Sequence, residues 1–162
     1  MFDFDKMSNV YMYQIQNKSA LVHRKASSGA YRQDPARMLY TELASDQKAF
    51  IMTAQSEFAD WIAHINQAGL SFGNRIAAKY HIFRSGASSA SEINGSRIIF
   101  VTYDDAYEFL AMVQTIPFHI IIIDHSSLLE TSSGSQLSTD AVLGTYFENK
   151  RTLVKDLVIE YV

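Results

Sequence analysis

Phe118-His119-Ile120-Ile121-Ile122-Ile123-Asp124 is the stretch that decides the fold. Four consecutive isoleucines strongly favour a strand, and they leave it no polar face. Such a strand must be covered on both sides, as a central strand of a parallel sheet is. Pro117 closes the element before it, because proline cannot continue a helix. Asp124 stands at the strand's end, where a sheet of this kind presents its carboxyl edge.

Upstream, Arg97-Ile98-Ile99-Phe100-Val101-Thr102-Tyr103 reads as a second strand, after an Asn94-Gly95 turn. Asp104 or Asp105 caps a helix whose core face carries Ala106, Phe109, Leu110 and Val113. Tyr80 to Phe83 is a further strand, and Arg84 to Ser91 (RSGASSAS) a mobile polar surface loop. Lys48 to Ala54 is a short buried strand. Ser56 then opens a helix with Phe58, Trp61, Ile62 and Ile65 on one face, which Gly69 stops. Asp34 as N-cap and Pro35 at the first helical position start another helix that runs to about Ala44.

At the beginning of the chain, Asn9 to Lys25 is extended, either a hairpin turning at Asn17-Lys18-Ser19 or one strand followed by a parallel partner. Downstream of the isoleucines lie a flexible TSSGS loop at 131–135, a helix from about Thr139 to Lys150, and a last strand from Leu153 to Val162. The alternation of strands and helices predicts one α/β domain over residues 1–162: a mostly parallel central sheet flanked by helices.

Composition narrows the function classes. The chain has 162 residues, 48% hydrophobic, with a net charge of −3. A core of ordinary size is therefore affordable, and no global charge attracts nucleic acid or an anionic membrane. No cysteine occurs, which excludes disulfides, thiolate metal sites and cysteine catalysis and suits a cytoplasmic home. The opening MFDFDKM lacks the basic start of a signal peptide. The longest apolar run is too short to cross a bilayer, so no membrane partner is expected.

The order of these segments resembles the RecA-like motor domain of superfamily 2 helicases and of the large terminases of tailed phages. Ala20 to His23 takes the place of the first strand, Arg24 to Arg32 that of the phosphate loop, and Asp34 to Ala44 that of the following helix. Asn94 to Phe100 resembles the strand before Walker B in terminases, and His119 to Asp124 resembles Walker B. The resemblance covers roughly residues 20 to 127 and implies a P-loop NTPase-like three-layer sandwich. It also implies a DNA-handling role, in the host cytoplasm if the protein is viral.

Against that pattern, the loop at 24–32 has the single glycine Gly29 and no lysine at the usual Walker A place. His125 stands where Walker B carries its catalytic glutamate. The expectation is a degenerate domain that binds without hydrolysing, as an accessory of a DNA-handling machine. Two alternatives stay open. One is an ATPase with ATP and Mg²⁺ held by Lys25 or Arg32 and by Asp124, with Asp124 and His125 as the catalytic candidates. The other is a small adaptor or inhibitor with a protein partner.

The phosphate-binding candidates are Lys25, Ser27, Ser28, Gly29 and Arg32, set before a helix N-terminus. The nucleic-acid candidates are Arg24, Lys25, Arg32 and Arg37. Lys18, Arg24, Lys25, Arg32 and Arg37 oppose only Asp34, which makes that stretch +4 with histidine neutral. Tyr11, Tyr13 and Tyr31 are the nearby aromatics for base stacking. A central strand ending at Asp124, beside the strand that feeds residue 24, is the strand order this reading expects.

Overall fold

The computed structural model describes residues 8–15, 18–25, 32–44, 46–72, 79–124, 139–151 and 157–161. In chain order the elements are β1 (Ser8–Ile15), β2 (Lys18–Lys25), α1 (Gln33–Glu42), β3 (Ala49–Met52), α2 (Phe58–Phe72), β4 (Tyr80–Ile82), α3 (Ala90–Asn94), β5 (Ile98–Val101), α4 (Ala106–Met112), β6 (Ile120–Ile123), α5 (Thr139–Asn149) and β7 (Leu157–Tyr161). Short 3-10 turns, Gln55–Glu57 and Tyr103–Asp105, lead into α2 and α4.

The strands form one sheet in the order β1-β2-β7-β6-β3-β5-β4. The first two are an antiparallel hairpin, and every other neighbouring pair is parallel. β6 lies between β3 and β7, and all four of its isoleucines are buried. The mostly parallel α/β sheet expected from the isoleucine run is therefore present.

Alternation along each strand divides the core in two. Phe50, Ile99, Ile121, Ile123 and Val158 face α3, α4 and α5, which contribute Ile93, Phe109, Leu110, Leu143, Tyr146 and Phe147. Ile51, Ile98, Phe100, Ile120, Ile122 and Ile159 face α1 and α2, which contribute Met38, Leu39, Trp61 and Ile65. Helices thus cover both faces, giving three layers.

Several expectations are corrected. The strand ending at Asp124 does not adjoin the strand that leads to residue 24, because β7 is inserted between β2 and β6. Helix α1 begins at Gln33, with Arg32 in the N-cap position and Asp34 in the first turn. Asp34 is therefore a first-turn acid that complements the helix dipole. Gly69 does not stop α2, which runs on to Phe72 with Gly69 buried inside it. Asp105 holds the N-cap position of α4 with no side-chain cap bond. Within 84–91, Ser89 closes a capping box with Glu92 and starts α3. The loop at 131–135 lies outside the described residues.

Candidate functional site

The carboxyl ends of β3, β5 and β6 converge on one buried polar cluster. Thr53 follows β3, Tyr103 follows β5 and Asp124 follows β6; Thr53 and Asp124 are wholly buried. A carboxylate in that setting needs donors. Oδ2 of Asp124 accepts from Trp61 Nε1 at 2.8 Å, Thr53 Oγ1 at 3.0 Å and Arg32 Nη2 at 3.0 Å. The hydroxyl of Tyr103 donates to the Asp124 carbonyl.

Arg32 is itself buried, at 7% exposure. The turn into α1 aims its guanidinium inward. There Nη2 also meets Glu57 at 2.7 Å, Nη1 donates to Asp60, and the cation lies 5.5 Å from the centre of the Trp61 ring. One arginine thus joins the start of α1, the start of α2 and the end of β6. Planar guanidinium is the group suited to this, because its donors fork toward several carboxylates at once.

The structure therefore brings two of the sequence candidates, Arg32 and Asp124, into direct contact, and the contact changes what each can do. Both are committed to a buried ion pair. Among the described residues no group of three or more His, Asp or Glu side chains is placed to hold a metal ion. Ser27, Ser28, Gly29 and His125 lie outside the described residues, as do Tyr31 and the side chains of Tyr11, Arg24 and Lys25.

The basic stretch is also less available than its charge count suggests. Arg32 is not on an exposed loop with Arg24 and Lys25. Lys18 Nζ donates to the Phe147 carbonyl at 2.5 Å and to the Lys150 carbonyl at 3.4 Å, so it serves the C-terminus of α5. Arg37 is exposed on α1. Tyr13 is half-buried and stacks on Phe147 with ring centres 5.8 Å apart. His119 sits at the opposite end of the sheet, where its backbone N–H donates to the Lys48 carbonyl at 2.8 Å. His64 approaches Asp60 at 3.6 Å, and His81 shares a 2.8 Å hydrogen bond with Ser88.

Thr53, Trp61, Tyr103, Glu57 and Asp60 were not sequence candidates for this site. The available signal was positional: Thr53 and Asp124 are the first polar residues after buried strands, and parallel sheets gather polar groups there. The same edge carries a cleft of about 400 Å³ between the ends of β3, β4 and β5. Phe58, Ile82, Phe83 and Tyr103 supply its apolar lining, and Gln55, Arg84, Ser85, Thr102, Asp104 and Asp105 its polar lining.

No protein-family model matches the chain, and no curated protein matches it. Among solved structures, the chain is similar to that reported as the structure of the C-terminal domain of the DEAD-box protein Dbp5. The two share 14% identity with a TM-score of 0.50, over 86% of this chain and 73% of that one. A second similar structure is the UvsW helicase from Bacteriophage T4, at 12% identity and a TM-score of 0.42, over 86% of this chain and 45% of that one. At these identities the likeness is one of fold: the chain has the α/β, RecA-like fold of helicase domains.

Proposed function

We propose that this chain is a RecA-like domain of the DNA-handling, helicase-like kind that works by binding, as an accessory, without hydrolysing nucleotide. The observation that carries the reading is the Arg32–Asp124 pair. A Walker B aspartate acts on a metal that bridges phosphates, so it must keep its carboxylate available at the site. Here that carboxylate accepts three side-chain donors inside the core. The cation proposed to meet phosphate is turned onto three carboxylates instead. The group has become a clamp between elements.

Titration with a fluorescent ATP analogue and Mg²⁺ tests this directly. The expected result is no saturable binding that depends on Arg32 or Asp124. Saturable binding lost in a folded Asp124→Asn variant would favour the ATPase reading. Fluorescence anisotropy with single- and double-stranded oligonucleotides at low salt tests the polyanion contact. With Arg32 buried and Lys18 committed to α5, DNA affinity rests on Arg24, Lys25 and Arg37, so it should be weak and fall with about three phosphate contacts' worth of salt dependence. No binding at low salt would move the partner from DNA to protein.

A further inference from the structure

The cleft at the carboxyl ends of β3, β4 and β5 is a built feature. Its outer wall is the turn after β4, where Ser88 Oγ accepts from the Arg84 backbone N–H at 2.9 Å. Gly86 adopts φ 74°, the left-handed region that favours glycine. Glu108 of α4 fastens the turn, accepting from Ser85 Oγ and from the Gly86 N–H at 3.3 Å. Asp104 and Asp105 also line the cleft, and Phe58 and Tyr103 lie buried in the lining.

Charge selects the occupant. Among the described residues that line the cleft, the acids are Asp104 and Asp105 and the cation is Arg84; Glu108 lies beside them on the turn, and the neighbouring Glu57, Asp60 and Asp124 are paired with Arg32. A phosphate chain would meet a surplus of carboxylates here, whereas a cation on an apolar stem would meet both its charge partners and its packing surface. We propose that this cleft docks an arginine-bearing segment of a protein partner, its guanidinium on Asp104 and Asp105 and its methylenes along the half-buried Ile82. The proposal rests on the reading of the chain as a binding module and names the chemistry of its partner.

The test is a titration of the isotope-labelled full chain with a hexa-arginine peptide, followed by NMR. The expected result is amide shifts concentrated at Gln55, Ser85, Gly86 and Thr102 to Asp105. The dissociation constant should weaken at least about tenfold in Asp104→Asn/Asp105→Asn. It should stay within about twofold in Glu42→Gln/Asp46→Asn, which removes the same charge at the other end of the sheet. If the Asp104/Asp105 variant fails to fold, Gln55→Trp blocks the cleft without changing charge and should give the same loss. Shifts scattered over the surface, equal weakening in both charge variants, binding undisturbed by Gln55→Trp, or the same signals moved by an oligothymidine would each overturn the proposal. Phosphate release from ATP is read separately. Turnover alongside intact peptide docking would overturn the non-hydrolysing reading and leave the cleft assignment standing.

Discussion

Arg32 shows how one residue's surroundings settle its role. In the sequence it is a cation in a basic stretch; in the fold it is the hub of an ion-pair cluster. Removing it strands a carboxylate in the core, and breaking a buried pair in that way costs about 3–5 kcal/mol. Arg32→Met should therefore destabilise the protein by about that much in urea unfolding. Adding Asp124→Asn should recover part of the loss, because the neutral amide still accepts from Thr53 and Trp61. A loss under about 1 kcal/mol, the range of an exposed pair, would mean that the cluster is not a clamp. Asp124 and Arg32 were both legible as candidates because each stands at an element boundary. Their contact was not, since it spans 92 residues and depends on how α1 is set against β6. Trp61 hid differently: its ring reads as core, and nothing local says that its N–H meets a carboxylate.

At the scale of elements, the isoleucine strand and Lys150 make opposite demands on the interior. Ile121 packs among Phe50, Phe118 and Val158 under α4 and α5. Ile121→Asp should abolish cooperative folding, since its carboxylate would have no partner; a soluble variant with a sharp melting transition would contradict the central placement of β6. Lys150, just past α5, is 5% exposed. Its Nζ donates to the Val113 carbonyl at 2.6 Å and to that of Ile116, closing the end of α4 between the rings of Phe118 and Tyr146. Burial pushes its pKa down to about 8. The unfolded chain keeps this proton up to about pH 10.4, so between those values it binds more protons than the folded chain. Stability should rise with pH across that window. Lys150→Met should flatten the slope, leaving the smaller share from Lys48, whose pKa burial also lowers, and identical pH profiles for the two proteins would contradict the assignment. Strand positions were legible because the apolar runs are short and dense. Sheet order was not: β7 enters between β2 and β6, and its pairing with β2 joins residues 136 apart (Val22 with Val158), which no local pattern encodes.

For the whole molecule, the sheet and its two helical layers follow the RecA-like plan, and Asp124, at the carboxyl edge, is buried against Arg32. A binding surface at that edge is compatible with the scaffold, because the cleft lies beside the Arg32–Asp124 cluster and shares only Tyr103 with it among the described residues. Phosphate release from ATP with Mg²⁺, measured with and without DNA, decides whether Asp124 serves hydrolysis. Release should stay at the background of the buffer and be unchanged in Asp124→Asn. Turnover near the ordinary enzymatic range of about 1 s⁻¹ or more, abolished by Asp124→Ala in a folded protein, would contradict the non-hydrolysing reading.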